Sequence, residues 1–340
     1  EGGGTRYRGS RKWTSDGRAD WNAVIQANTT SGMSSAGQAL GLSGNLSGAI
    51  QATSRNNQYT YGLMPRLITD VNDQLEVTVG LDWRTAKIEH YREVHSLLGG
   101  DYYYNTSNKN LSGKDNYKQL GDKIEYYDIN TVDWTGFYGQ AVYNAGPMSA
   151  FAVFSSTSAS FTNEDQFVAG KAKIESDPQS GSQMKLGGSY DLSDALTVFG
   201  NFGLTTLTPA MDKVVDEDYG TLNVDYKPEK ANFFDVGARF RQMNGMLTGG
   251  VNYYVVDWKD RFIRRSVQDP NTPDAFVNIT GLNQSLSGLE YTLAYKPMEM
   301  VRFDLRGHFS NWEYSNNVNA KYRADRTGST AETEYNLYLK

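Results

Sequence analysis

The stretch GLEYTLAYKPMEMVRFDLRGHFSNW (288–312) decides how this chain folds. On its first arm Leu289, Tyr291, Leu293 and Tyr295 alternate with Glu290, Thr292, Ala294 and Lys296. On its second arm Val301, Phe303, Leu305 and Phe309 alternate with Arg302, Asp304, Arg306 and His308. Successive side chains of a strand point to opposite faces, so each arm has one apolar and one polar face. The Pro and Glu between them suit a turn. The apolar face can meet a protein core or lipid, and the rest of the sequence has to choose.

The chain has 340 residues, a net charge of −6, no Cys, 34 Gly, 23 Tyr and 8 Pro. Its mean hydropathy of −0.59 and the lack of any run near the ~18–20 apolar residues of a membrane helix exclude helical spans. They do not exclude a membrane barrel, where only alternate residues meet lipid. Without Cys there are no disulfides and no thiolate metal sites. The acidic balance speaks against a nucleic-acid partner. The start, EGGGTRYRG, has neither an initiator Met nor a signal sequence and reads as a processed or internal piece of a longer chain.

The alternation recurs. Leu75, Val77, Val79, Leu81 and Trp83 form one apolar stripe; Met184, Leu186, Gly188 and Tyr190 form another. Phe234, Val236, Ala238 and Phe240, then Leu247, Gly249, Val251, Tyr253 and Val255, continue the series. Runs of about ten residues suit tilted membrane strands better than the usual soluble strand of about 5–6. Connections alternate between short and long. The short ones are DVNDQ (70–74), AGPMS (145–149), DLSDA (191–195), QMNG (242–245) and KPMEM (296–300); the long, polar ones span 94–130, 163–182, 206–229 and 259–283. Short turns on one side and long loops on the other are the pattern of an outer-membrane barrel. Tyr and Trp near strand ends, among them Tyr59, Tyr61, Tyr91, Trp134, Tyr143, Tyr253, Tyr254, Trp258, Tyr295, Trp312 and Tyr314, suit the headgroup level, although Tyr is also a common strand residue.

The expected fold is therefore all-β, an antiparallel transmembrane β-barrel with long extracellular loops. Residues 1–55 read as an extracellular loop region, with room for a strand end, a cap or a short helical insert. Residues 56–340 read as the barrel segment. About eleven strands are counted, the last over 333–339. An odd count and a stop inside strand-like TETEYNLYLK suggest part of a larger barrel, such as the 22-stranded plugged kind.

The segments QMKLGGSYDLSDALTVFGNFG (183–203), YKPEKANFFDVGARFR (226–241), GGVNYYVVDWKDRF (249–262) and NITGLNQSLSGLEYTLAYKP (278–297), in that order after the 58–103 hairpin region, resemble the barrel of TonB-dependent outer-membrane receptors. The likeness covers about residues 55–312 and is nearest to receptors whose plug follows a carboxypeptidase-regulatory-like domain. It implies a transporter in the outer membrane of a Gram-negative bacterium. The implied activity is energised uptake of a scarce nutrient: siderophore-bound iron, haem, cobalamin, an oligosaccharide or a peptide. The implied partners are outer-membrane lipid, the protein's own plug domain, the TonB–ExbB–ExbD complex acting through a plug-side segment, and optionally a surface lipoprotein. No plug sequence is recognised in the chain, and the terminal aromatic strand end of the family is missing.

Catalytic signals are sparse, and no cofactor is expected. His90 and His95 are five apart, which on a strand puts them on opposite faces and not on one metal. Tyr102, Tyr103 and Tyr104, with Tyr126 and Tyr127, cluster in a long loop and are the candidate ligand contacts; packing of the loop on itself is the competing explanation. Asp235, Arg239, Arg241, Arg302, Asp304 and Arg306 are candidates for the lumen face, where plug contacts and cross-strand pairing suit them. Asp212, Asp216, Glu217 and Asp218 make an acidic run that reads as solvated. The alternatives to a receptor are a passive porin, a barrel enzyme for which only His308 offers a lumen-facing group, and a soluble β-adhesin.

Overall fold

A computed structural model describes residues 5–10, 12–170, 173–216, 220–223, 226–267, 275–323 and 333–339. Among them, one 15-stranded sheet holds every long strand. Strands Ala49–Leu63, Leu75–Ser96, Lys123–Ala145, Met148–Asp165, Gln179–Ser193, Leu196–Thr206, Lys230–Gln242, Leu247–Ser266 and Phe276–Met298 lie side by side in chain order. Thr5–Gly9 adds to Ala49–Leu63, and both Val301–Tyr314 and Val318–Arg323 add to Phe276–Met298. Thr333–Leu337 pairs with Val318–Arg323. Among the described residues no helix is long and apolar enough to cross a membrane.

The strands exceed the lengths expected from the alternation alone. Lys123–Ala145 and Phe276–Met298 have 23 residues each, about 75 Å at ~3.3 Å per residue, against a hydrocarbon layer of about 30 Å. The long connections shrink accordingly: the first runs only from the end of Leu75–Ser96 to Lys123. Cross-strand side-chain pairs outside the apolar stripes carry the ladder onward, such as Tyr91 with Tyr127 and His90 with Tyr126. The strand expected over 58–69 is instead two, Ala49–Leu63 and Arg66–Asn72. Pro65 lies in the break; it has no N–H to give to a ladder.

By Cα packing the chain forms two compact units. The first comprises Glu1–Tyr61, Thr85–Val132 and Phe161–Glu175. It has a conventional core of Ile50, Ala52, Val94, Leu97 and Ile124, with Tyr103 against it. Among its described residues this unit has two α-helices. Trp21–Thr29 starts at Asp20, whose carboxylate accepts from the Ala23 N–H at 2.9 Å; Ser35–Ala39 starts at Ser34, whose hydroxyl accepts from the Gly37 N–H at 3.2 Å.

The second unit comprises Gly62–Arg84, Asp133–Ser160 and Ser176–Lys340. Here one face of the sheet exposes a run of large apolar side chains. Val79, Leu81 and Trp83; Met184, Leu186 and Tyr190; Phe202 and Leu204; Phe234 and Val236; Val251 and Tyr253; Phe303, Leu305 and Phe309 all stand open on one face. A patch this continuous on a sheet marks a surface made for an apolar neighbour.

Strand glycines in this unit sit under aromatic rings of the paired strand. Gly187 faces Phe151, Gly203 faces Phe233, Gly237 faces Phe199, and Gly288 faces Tyr254, each directly opposite in register. The ring fills the space that a side chain would take. A Cβ on Gly237 would stand 2.5 Å from Phe199 Cζ and 2.5 Å from the Val251 carbonyl oxygen. Gly237→Ala is therefore expected to lower the denaturant midpoint of the membrane-embedded protein by an amount worth about 1–3 kcal/mol. Gly200→Ala, where the nearest atom is an ordinary 3.6 Å away, is the control and is expected to leave it unchanged.

Candidate ligand-contacting surfaces

The polar face of the second unit carries five of the six charged candidates in or beside two hollows. Arg239, Arg302, Asp304 and Arg306 line a concavity of about 500 Å³, together with Asn252 and Glu290. Strand register explains the convergence. Arg306 lies opposite Thr292, His308 opposite Glu290, and Arg239 opposite Gly250, so alternate residues of adjacent strands share the face. Arg302 and Asp304, two apart on one strand, point the same way and pair: Nε donates at 2.9 Å to Oδ2, and Nη2 at 2.7 Å to Oδ1. The Arg239 guanidinium lies 4.6 Å from the Phe199 ring centroid. Asp235 accepts from Asn201 Nδ2 at 3.1 Å and lines a neighbouring hollow of about 340 Å³ with Tyr254 and Glu290. Arg241 is separate. Its guanidinium packs at the short turn beside Gly245, and it does not line the concavity.

Alternation alone identifies the face, but not which charges meet. Glu290 and Asn252 enter both hollows and were missed as site residues, although their position on the polar stripe was a usable signal. Trp134 and Trp312 are likewise on this polar side. Trp134 Nε1 donates to Asp82 at 3.0 Å, and Trp312 Nε1 donates to the Tyr254 hydroxyl at 3.0 Å.

The tyrosine candidates all belong to the first unit. Tyr102 and Tyr104 pack their rings on Tyr117, with centroids 6.5 and 5.0 Å apart, and the Tyr117 hydroxyl shares a 3.0 Å hydrogen bond with Ser34. Tyr103, between them, turns to the core; burial pushes its phenol up from the ordinary value, and Glu125 adds to this. Tyr126 and Tyr127, adjacent on one strand, take opposite faces. Tyr126 donates to Ser54 Oγ at 2.9 Å and lies 4.8 Å from the His90 ring. Tyr127 and Tyr91 hold the Lys123 ammonium between their rings, at 3.4 and 4.4 Å from the centroids. Of the five, only Tyr104 is exposed, at 49%.

A charged hub beside Tyr126 was not legible in sequence. Glu125, in a left-handed conformation at φ 65°, accepts from Arg8 Nε at 2.6 Å and pairs with Arg92. Arg92 also donates to Ser54 at 3.3 Å and lies over the Tyr126 ring at 4.9 Å. In the acidic run, Asp216 is buried between Arg323 Nη1 at 3.1 Å and Arg264 Nη1 at 3.7 Å, while Glu217 and Asp218 lie outside the described residues.

His90 gives this region a pH dependence. Burial first, and then the Arg92 charge, hold its imidazole below the ordinary 6.5. As pH falls through 6.5, the unfolded chain binds a proton that the folded chain refuses. Stability contributed here is thus complete above that value and is lost below it, down to the folded-state value. The protection factors of amides in the outer half of Leu75–Ser96, taken relative to the intrinsic exchange rate at each pH, are expected to fall between about pH 7 and pH 5. His90→Phe, which keeps the ring contact with Tyr126, is expected to flatten that trend.

The comparisons with known proteins agree with this geometry. The family model for the "TonB dependent receptor-like, beta-barrel" domain matches residues 1–339. No curated protein sequence matches the chain. Among solved structures, the copper transporter OprC aligns with a TM-score of 0.58 at 14% identity, over 80% of this chain and 43% of its own. The ferric citrate transporter FecA in its unliganded form aligns with a TM-score of 0.55 at 14% identity, over 80% of this chain and 40% of its own. The chain thus spans about two fifths of the length of either, and identity this low bears on the fold alone.

Proposed function

Since the chain belongs to the TonB-dependent receptor family, as part of its outer-membrane β-barrel in a Gram-negative bacterium, we propose that it serves energised uptake of a scarce nutrient. The candidate nutrient classes are siderophore-bound iron, haem, cobalamin, an oligosaccharide and a peptide. The observation that carries this reading is the two-faced wall: an apolar face open to lipid and, behind it, a polar face with charged hollows around Arg239, Glu290 and Arg302–Arg306. A wall of this kind suits a wet or plugged interior.

On this reading the polar face meets a plug domain, and Asp235, Arg239, Arg302, Asp304 and Arg306 are its neighbours. Tyr104 is the foremost ligand contact of the loop, with Tyr102, Tyr103, Tyr126 and Tyr127 shaping the surface beneath it. TonB–ExbB–ExbD supplies the energy, and a surface lipoprotein is an optional partner. The test is uptake of labelled members of these nutrient classes by cells carrying the full-length gene, with and without TonB. Uptake abolished by TonB loss is expected. Undiminished uptake without TonB rejects the proposal in favour of a passive pore. If Tyr102, Tyr103 and Tyr104 are all replaced by Ala and uptake by a folded barrel is unchanged, the loop loses its assigned role.

A further inference from the structure

Not every strand glycine of the second unit is roofed by a ring. Gly139, on the strand Lys123–Ala145, has its backbone outside the left-handed region, and a Cβ built on it meets nothing nearer than the Thr78 carbonyl oxygen at 4.0 Å. Neither backbone geometry nor a crowding neighbour calls for a glycine here. The missing side chain leaves a hollow walled by Leu67, Val79, Leu81, Phe137 and Phe154, all of the second unit. At about 620 Å³ it is roughly four times the size of the ~150 Å³ apolar cavity that takes up a benzene. The Phe137 and Phe154 rings stand together on its wall, with centroids 5.8 Å apart. Pro65, in the break between Ala49–Leu63 and Arg66–Asn72, borders it, and its carbonyl accepts from the Leu81 N–H at 3.1 Å.

Parity places the hollow on the lipid face. Leu67 is directly opposite Val79 in the ladder, and Leu67, Val79, Leu81, Phe137 and Phe154 are all exposed. The polar-side neighbours turn away: Arg66 lies opposite Gly80, and a Cβ on Gly80 would meet the Tyr138 ring on the far face. The hollow is thus continuous with the apolar surface that the barrel presents to the membrane. Its depth follows from the chain. Val79 is four residues from Leu75, where the short turn 70–74 ends. At ~3.3 Å per residue and a tilt of ~40° that is about 10 Å into an apolar band of about 25 Å. Short turns of such barrels face the periplasm, so the hollow opens to the periplasmic leaflet, which in an outer membrane is phospholipid. An empty hollow forfeits dispersion contacts, and an apolar one stays dry. A methylene chain laid over Gly139 gains contacts from below and from both sides. A chain against the open stripe of Val251 and Tyr253 gains them from one side only.

We propose that the hollow over Gly139 is a binding site for one acyl chain of a periplasmic-leaflet phospholipid, held there longer than the lipids that surround the rest of the barrel. Gly139 is the floor of the site: a larger apolar residue would fit the backbone and close it. The walls are hydrocarbon side chains, so the site recognises the tail by shape, and the headgroup reaches the level of the short turns. The proposal goes beyond the transport reading and does not depend on which nutrient is carried.

The full-length protein is extracted from outer membranes, washed in a detergent that strips surrounding lipid, and weighed with its bound lipid by native mass spectrometry. The wild type is expected to retain one phospholipid per barrel beyond the number retained by Gly139→Leu, whose side chain fills the hollow. Val251→Leu, on the open part of the same face, is expected to retain the wild-type number. Equal retention by the wild type and Gly139→Leu overturns the proposal, as does a wild type that retains no phospholipid. Equal loss in Val251→Leu overturns it too, because the lipid is then not held at the hollow. If the mass lost in Gly139→Leu is that of a lipopolysaccharide, the chain comes from the other leaflet and the proposal fails. Heat-modifiable electrophoretic mobility verifies folding. If Gly139→Leu does not fold, Val79→Phe, which narrows the same hollow from its side, decides the matter by the same comparison.

Discussion

Asn28→Leu is expected to release the helix Trp21–Thr29 from the strands beneath it, at a cost on the order of 4 kcal/mol. Asn28 is 2% exposed, and its amide is the joint of the first unit. Nδ2 donates to the carbonyls of Ala49 at 2.9 Å, Leu97 at 3.0 Å and Leu98 at 3.1 Å, and Oδ1 accepts from the Gly48 N–H at 3.0 Å. Leucine matches the volume and none of the bonds, so four backbone groups lose a partner; the Ala49 and Leu97 carbonyls are buried, Leu98 and Gly48 only partly, and the Leu97 carbonyl keeps Ser47 Oγ at 2.7 Å. Each such group costs about 1–3 kcal/mol, offset in part by relaxation of the Leu97–Leu98 bend. Asn28→Asp is expected to be no better, since a carboxylate would face three carbonyl oxygens. The measurement is amide exchange at Gly48 together with limited proteolysis over residues 20–48. Wild-type protection at both sites in the Leu variant would refute this account, and a change confined to them would show that the first unit opens without the rest.

Arg92→Met is expected to cost on the order of 3 kcal/mol and to be largely repaired by a second change, Glu125→Gln. Arg92 is 8% exposed and supplies one of the two cations on Glu125. Breaking a buried pair by removing one partner strands the other charge, which is worse than removing both. Here the stranded charge keeps Arg8 at 2.6 Å, so the loss falls at the low end of the usual ~3–5 kcal/mol. Methionine retains much of the packing on the Tyr126 ring, which isolates the electrostatic part. The double-mutant cycle, read from thermal or denaturant unfolding in detergent, is expected to give a coupling of more than ~1 kcal/mol. Additive losses would show that Glu125 is stabilised by Arg8 alone. The backbone of Glu125 is in the left-handed region, which costs a non-glycine residue of order 1 kcal/mol and persists only where the surroundings hold it. Loss of the Arg92 anchor is therefore also expected to loosen the backbone at Glu125 itself.

These two sites differ from the wall in how far they are legible without the tertiary structure. The wall was legible because its information is local. In GLEYTLAYKPMEMVRFDLRGHFSNW the period of two assigns every side chain to a face, and the turn chemistry of KPMEM pairs the arms as Tyr295 with Phe303 and Leu293 with Leu305. Membership of Arg239, Arg302, Asp304 and Arg306 in one polar face follows from that parity alone, as does the separation of Tyr126 from Tyr127. Strand ends were less legible. Outside the apolar stripes the ladder runs on by cross-strand pairs whose two halves lie more than thirty residues apart, such as Tyr91 with Tyr127.

The sequence by itself thus determined the fold class, the hairpin order and the two faces of the sheet. Only the tertiary structure decided which polar groups share a hollow, that Arg241 stays at its turn, that Asn28 joins a helix to residues sixty-nine and seventy positions later, and that Glu125 gathers Arg8 and Arg92. The physical reason is the range of the interactions. Alternation and turn preference act between neighbours in the chain. Register and loop closure bring together groups whose separation in sequence carries no signal of their contact.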